Sequence, residues 1–331
     1  MVRGFHVVLI CALAVAVPGC AKQKPTAQAP PAKPGPGAHK RYTIAVIPKG
    51  TTHVFWKSVE AGAKQAGEDL GVDIIWKGPL KENDRAQQIQ LVQQFISQGV
   101  DGIVLAPLDY KALVGPVHAA GDARIPVVII DSALEGQPGR DFVSFVATNN
   151  SQGGRLGGQQ LAKLLGGKGK VVLLRYLVGS ASTDDREKGF LEAIGESKGI
   201  RVLVDNRYAG ATAGEAKTNA LNLIDQIRQA DGVFCPNESS TMGMLLALQQ
   251  EGLAGKIRFV GFDASPPLVK ALADGEIDAL VVQDPRKMGY TGVETLIAHL
   301  EGKQVEDVID TGVVVVTREN MNDPNVKRLI E

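Results

Sequence analysis

Lys256-Ile257-Arg258-Phe259-Val260-Gly261-Phe262-Asp263-Ala264-Ser265 is the stretch that decides the fold class. Residues 257–260 are β-branched or aromatic but for one arginine, the composition of a buried parallel strand. Gly261-Phe262-Asp263 ends the run, and Ser265-Pro266-Pro267 offers a helix N-cap with proline at the first helical positions. Asp263 therefore stands just past the carboxyl end of a strand, where open α/β sheets bind their ligands. The chain does something similar 132 residues earlier, where Ile125-Pro126-Val127-Val128-Ile129-Ile130 runs into Asp131-Ser132.

That pairing belongs to a longer internal repeat. Asp101-Gly102-Ile103-Val104-Leu105-Ala106-Pro107 echoes Asp231-Gly232-Val233-Phe234-Cys235-Pro236, and Leu70-Gly71-Val72-Asp73-Ile74 echoes Lys198-Gly199-Ile200-Arg201-Val202. The order is kept while the offset drifts, as small insertions would make it. Two similar α/β units facing one another predict a cleft with a carboxylate on each wall. The alternative is that any two α/β units share strand–helix grammar.

Outward from these stretches the chain alternates strand and helix. Strands are expected at 43–47, 72–76, 102–106 and 125–130, with 142–147 at the edge of the first unit. The second unit has strands at 170–175, 201–204, 232–235, 257–260 and 277–282. Residues 179–190 read as a loop leading into a helix, 215–227 as one helix, 285–301 as another, and 312–316 as a buried strand. Short loops between alternating elements argue for α/β architecture with doubly wound parallel sheets. A length of 331 residues suits two domains, and 44% hydrophobic residues suffice for two cores.

Lys+Arg and Asp+Glu balance at 36 each, so no basic excess points to nucleic acid. At the N-terminus, Arg3 and His6 precede the apolar run 7–17, followed by Pro18-Gly19-Cys20. This is the layout of an export signal, and its apolar run is too short to span a bilayer. A cysteine just after the small-residue site resembles the bacterial lipoprotein processing box. Residues 1–19 are then a signal peptide and Cys20 the lipidated first residue. Pro18 departs from the usual Ala or Ser, so ordinary signal-peptidase cleavage is the alternative. Residues 20–39 are a proline-rich tether. Processing leaves Cys235 as the remaining thiol, among apolar neighbours, where it reads as a core residue.

Gly166-Gly167-Lys168-Gly169-Lys170 lacks the spacing and the strand-to-helix order of a phosphate loop. Gly153-Gly154 and Gly157-Gly158 fall inside an expected helix, where small residues suit close packing. The five histidines have no metal-ligand spacing, and no nucleophile elbow is present. Neither cofactor, metal nor catalytic residue is expected. Thr52-His53-Val54-Phe55-Trp56 is different: adjacent aromatics at a strand-to-helix junction need cover. One can enter the core while the other faces a cleft.

The order of Thr52-His53-Val54-Phe55-Trp56, Asp131, Arg186-Glu187-Lys188-Gly189-Phe190, Phe234-Cys235-Pro236-Asn237, Val260-Gly261-Phe262-Asp263 and Val282-Gln283 resembles the periplasmic sugar-binding proteins of the ribose/galactose type, the type I solute-binding proteins of ABC importers. The resemblance runs from about Arg41 to the C-terminus. It implies two doubly wound lobes, 40–147 plus 284–309 and 148–283 plus 310–331, joined by a three-segment hinge and closing on a sugar. It carries ligand contact to His53, Asp131, Arg186, Asn237, Asp263 and Gln283, with Phe55 and Trp56 as aromatic walls. Ser132 stands where ribose binders have Arg, and Ala106 at a position often Asn. Both put ribose in doubt and leave a small polyhydroxy ligand.

Carboxylates accept paired hydrogen bonds from vicinal hydroxyls, while a guanidinium and side-chain amides supply donors. The same aspartates could instead cap loops, and Arg186 could pair with a nearby acid. With Arg186 as the one sure cation and His53 neutral at its ordinary value, the cleft is expected to take an uncharged sugar or polyol. The expected partners are an ABC permease and, through the lipid anchor, a membrane of the cell envelope. The expected protein is a periplasmic monomer. A subunit presenting the closed form to a membrane sensor or chemoreceptor is the alternative. A glycosidase-like carboxylate pair is weaker, because each aspartate has a better use as a hydroxyl acceptor. An export signal in place of a DNA-binding headpiece argues against a repressor.

Overall fold

The computed structural model describes residues 1, 2, 4, 5, 7 and 41–331. The lipidation expected at Cys20, the signal-peptide cleavage site and the tether lie outside the described residues. Residues 41–331 form one compact unit. Its first half runs β1 (Thr43–Ile47), α1 (Val54–Leu70), β2 (Asp73–Trp76), α2 (Arg85–Gln98), β3 (Gly102–Leu105), α3 (Val114–Asp122), β4 (Val127–Ile130) and β5 (Ser144–Ala147). The chain then continues with α4 (Asn150–Leu164), β6 (Lys168–Arg175), α5 (Ala181–Gly195), β7 (Gly199–Tyr208), α6 (Ala213–Leu221), α7 (Ile224–Ile227), β8 (Gly232–Phe234) and α8 (Glu238–Gln250). It closes with β9 (Arg258–Phe262), α9 (Pro266–Asp274), β10 (Ala279–Gln283), α10 (Pro285–Leu300), β11 (Val308–Asp310), β12 (Val313–Val316) and α11 (Pro324–Ile330).

Two six-stranded sheets result, ordered β11-β5-β4-β3-β1-β2 and β12-β10-β9-β8-β6-β7, giving two α/β lobes. Along β1 the side chains alternate between two cores. Ile44 and Val46 pack with α1 and α10, while Ala45 and Ile47 pack with α2 and α3. In the second lobe Val260 and Phe262 face one core and Phe259 the other. A strand buried on both faces reads as a continuous apolar run, which is why β4 is Val-Val-Ile-Ile. Each such side chain contributes roughly 1.5–3 kcal/mol by leaving water.

The repeat survives at the level of single hydrogen bonds. Asp101 accepts from the Thr43 N–H at 2.9 Å, and Asp231 from the Lys170 N–H at 2.7 Å, so each pins the neighbouring strand, at the first residue of β1 and the third of β6. The helices are exchanged between halves: α4 follows β5 but packs on α5, and α10 follows β10 but packs on α1. Both pairs approach through glycine. A Cβ on Gly154 would overlap the carbonyl of Arg186, and a Cβ on Gly62 that of Arg286. The glycines of α4 therefore serve close packing.

Several sequence expectations need correction. β5 is not the edge of its sheet, because β11 pairs parallel to it outside. Residues 313–316 form an antiparallel edge strand on β10, mostly half-buried, instead of a buried strand. Both depend on pairings between residues at least 30 apart in sequence, which composition does not encode. Residues 181–190 are already helix, since Ser180 stands extended at the N-cap and the Ser-Thr-Asp run forms the first turn. The helix at 215–227 is broken into α6 and α7 at Asn222 and Leu223. Ser265 occupies the N-cap of α9 but makes no side-chain cap bond.

The chain passes between the sheets three times, at Thr148-Asn149, at Asp284 and at Thr311-Gly312. Two of these strands touch: the Thr148 and Thr311 hydroxyls lie 3.4 Å apart, and the Asn149 N–H donates to Asp310 at 3.2 Å. No described helix is long and apolar enough to cross a membrane.

Candidate functional site

β4 and β9 end alike. Asp131 has φ 65° and Asp263 φ 68°, the left-handed region that Asp tolerates better than most residues. Each donates its backbone N–H to the next strand, Asp131 to Val146 at 3.1 Å and Asp263 to Val281 at 2.8 Å. The turn directs each carboxylate into a cavity between the lobes. All eight residues singled out in the sequence, His53, Phe55, Trp56, Asp131, Arg186, Asn237, Asp263 and Gln283, line this cavity.

On the first-lobe wall, His53 is the N-cap of α1, but its side chain makes no cap bond. Its Nδ1 lies 2.6 Å from Glu82. Trp56 is sunk in the core, with its Nε1 donating to Glu82 at 2.7 Å. Phe55 is half-buried and meets Trp56 edge to face, ring centroids 4.9 Å apart. The two aromatics divide, Trp56 toward the core and Phe55 toward the cleft, an assignment the sequence had left open. Glu82 accepts a third bond, at 2.9 Å, from the Tyr176 hydroxyl of the other lobe. Asp131 pairs with Lys49 at 2.8 Å, and the same ammonium reaches Ser182 across the cleft at 2.9 Å.

The second-lobe wall is built on α5, α8, β9 and β10. Arg186 is 2% exposed; its Nε donates to Asn150 at 2.8 Å and its Nη1 to the Pro236 carbonyl at 3.0 Å. Its guanidinium lies 3.9 Å over the Phe262 ring. Arg186 thus pairs with no acid directly. Asn237 caps α8, accepting from the Ser240 N–H at 3.2 Å and donating to Ser239 at 3.3 Å. Asp263 accepts from Gln283 at 2.7 Å and from the Glu238 N–H at 2.8 Å. Two buried polar atoms of this wall have no protein partner, Arg186 Nη2 and Gln283 Oε1.

The charge expected on His53 is corrected. Burial alone would lower its pKa, but the charge and hydrogen bond of Glu82, helped by Glu238 and Asp263, raise it to about 9. His53 is a cation at neutral pH. Burial likewise opposes ionisation of Glu82, yet His53, Lys49 and the Trp56 bond hold it at about 2. Burial dominates at Asp263 and pushes it up to about 6, against the Arg186 charge and its two hydrogen bonds. Arg186 is therefore not the lone cation. Lys49 and His53 each sit on a carboxylate of their own wall.

Lys49, Glu82, Tyr176 and Glu238 line the cavity too and were not read from the sequence. A charged residue in a short loop looks like surface until its partners are known. No described group of His, Cys, Asp and Glu is placed to hold a metal ion. Cys235 is buried and its thiol is pushed up by that burial, so it is a core residue.

The periplasmic binding protein domain family matches residues 44–304. The chain belongs to this family. Within it, the likeness is to periplasmic sugar-binding proteins of the ribose/galactose type. The ribose import binding protein of Salmonella typhimurium is 30% identical over 80% of this chain and 86% of its own length. The D-ribose/D-allose-binding protein of Pseudomonas aeruginosa is 30% identical over 83% and 88%. Among solved structures, an ABC transporter solute-binding protein from Agrobacterium vitis with bound D-fucose is 35% identical, with a TM-score of 0.84, covering 87% of this chain and 100% of that one. A carbohydrate transporter solute-binding protein from Agrobacterium radiobacter in complex with D-arabinose is 34% identical, with a TM-score of 0.84, over 88% and 99%.

Proposed function

We propose that this periplasmic binding protein captures an uncharged sugar or polyol between its lobes and hands it to an ABC permease, with no covalent step. The observation that carries this reading is the buried, unpaired pair Arg186 Nη2 and Gln283 Oε1. Buried polar atoms are nearly always hydrogen-bonded, so a donor and an acceptor left over on one wall call for a ligand that both accepts and donates. A hydroxyl does both. Asp263, Asp131 and the Asn237 amide offer further hydroxyl contacts, and Phe55 offers a face to the C–H side of a ring.

Charge argues for neutrality on different grounds from those the sequence offered. Lys49 is matched to Asp131 and His53 to Glu82, so the first-lobe wall presents no spare cation to an anionic ligand, and the Arg186 guanidinium on the other wall already lies in the field of Asp263 and Asp131. Asp263 and Glu238 would repel one, at a cost of several kcal/mol in a closed cleft. Ser132 accepts the Ser182 N–H at 3.0 Å and brings no charge to the ligand, which supports a sugar other than ribose.

Hinge motion at the three crossing segments would let the lobes close, and the closed form would be what the permease reads. Export and acylation at Cys20 would hold the protein, a monomer, at a membrane of the cell envelope. Cys20→Ala should then leave it unprocessed or released, and partition of the processed variant with membranes would refute the anchor. A thermal-shift screen of residues 40–331 against sugars and polyols tests the function. A neutral ligand at a hundredfold excess over its Kd should stabilise by about 2.7 kcal/mol. Stabilisation by sugar phosphates or sugar acids alone would overturn the reading.

A further inference from the structure

We propose that Glu238 is a latch between the lobes and the positioning residue for the Phe55 wall, an inference that rests on the ligand cleft proposed above. The start of α1 lacks a cap of its own. His53, at the N-cap, spends its side chain on Glu82, and the first turn holds no acidic residue. The free N–H groups there need an acceptor. It comes from the opposite lobe: the Glu238 carboxylate takes the Val54 N–H at 3.1 Å through one oxygen and the Phe55 N–H at 2.9 Å through the other. The charge also faces the positive end of a 17-residue helix.

Glu238 is the first residue of α8, and its own N–H donates to Asp263 at 2.8 Å. One residue thus ties the carboxylate at the end of β9 to the aromatic at the start of α1. Parting the lobes leaves both N–H groups of α1 and the carboxylate to water. The bonds exist only when the lobes meet, so they act on the closing step and not on a particular ligand. A device of that kind raises the affinity of every ligand by one common factor.

Dipolar distance measurements on residues 41–331 test this, with labels at Glu68→Cys on α1 and Gln226→Cys on α7. Without ligand, Glu238→Ala should move the distribution to longer distances, and Glu238→Gln, which keeps one acceptor oxygen, should fall between. Titrations with D-fucose, D-arabinose and D-allose should then weaken about tenfold each, with their ratios preserved. An unchanged distance distribution in Glu238→Ala overturns the latch. So does a change of more than about threefold in the ratios, since that marks Glu238 as a ligand contact. If none of the three sugars binds the parent protein, the distance arm still decides the latch, and the sugar reading alone is in question.

Discussion

The carboxylate at the end of β4 has an ammonium on it, while the one at the end of β9 is held by an amide and a backbone N–H. Asp131 meets Lys49 at 2.8 Å; Asp263 meets Gln283 at 2.7 Å and the Glu238 N–H at 2.8 Å. The backbones delivering them are copies, with φ of 65° and 68° and the same N–H bond to the next strand. The repeat therefore fixes where a carboxylate stands, and the unrepeated neighbours fix its chemistry. In the first lobe the carboxylate belongs to a charge pair that also reaches Ser182. In the second it stays costly to ionise, which leaves it the stronger attraction for a hydroxyl donor.

The largest expected effect separates these two sites by one substitution made twice. Asn tolerates the left-handed region as Asp does, so neither change adds backbone strain. Asp131→Asn strands the Lys49 ammonium, 3% exposed, without its counter-ion and should destabilise the protein by about 3–5 kcal/mol. Asp263→Asn loses one hydrogen bond but also a charge that burial disfavours, so its stability should change by no more than about 1 kcal/mol at pH 7. It should nevertheless weaken a neutral sugar at least about tenfold. Denaturant unfolding and calorimetry on both variants check this. Equal losses of stability would mean that the two lobes do not differ in the way described.

How much of this was open to sequence follows the same division. Asp131 and Asp263 could be found because the turn after a buried strand is a local signal, and because it recurs. That one of Phe55 and Trp56 enters the core and the other faces the cleft could be read from helix geometry, but not which of them does which. Lys49 could not, since Pro48-Lys49-Gly50 is indistinguishable from a surface loop. Glu82 lies in the charged run Lys81-Glu82-Asn83-Asp84-Arg85, yet is buried under three donors, two from the start of α1 and one from the other lobe. The charge of His53 depends on Glu82, so it was out of reach for the same reason. β11 was missed, and β5 and β12 misread, because edge position is a property of pairing, not of composition. For Glu238 the sequence shows only an acid in the first turn of its own helix, and nothing marks the second helix it caps.

A smaller effect should separate the exchanged helix pairs. Gly62→Ala drives a methyl into the Arg286 carbonyl, and Gly154→Ala drives one into the Arg186 carbonyl. Both force helices apart and should cost about 1–3 kcal/mol. Only the second displaces α5, which carries Arg186 and its unpaired Nη2. Matched thermal stabilities are therefore expected, together with the larger loss of sugar binding in Gly154→Ala. If Gly62→Ala weakened the sugar as much, α1 and α5 would contribute equally to the cleft, and the asymmetry assigned to Arg186 would fail.

The smallest effect concerns pH, and the two lobes should again part. Between pH 5 and 8 the His53–Glu82 pair of the first wall is fixed, because Glu82 titrates at about 2 and His53 at about 9. On the second wall Asp263 titrates at about 6. Hydroxyl donors favour its ionised form, so below pH 6 a proton must leave before the ligand is fully held, and affinity should fall by up to about tenfold per pH unit. Stability runs the other way. Asp263 and the buried Glu187, which burial pushes up to about 7, bind protons more tightly when folded, so stability is lost as pH rises through those values. His53, raised above its unfolded value of 6.5, adds stability that is full below that pH and lost as pH climbs through about 9. Glu82, depressed from 4.5, keeps its contribution above that pH and loses it toward 2. The Tm without ligand should therefore rise from pH 8 to pH 5, while the gain on adding sugar shrinks. In Asp263→Asn the shrinkage should disappear. A ligand-induced gain in the parent protein that held constant across this range would place the titrating group outside the ligand's contacts.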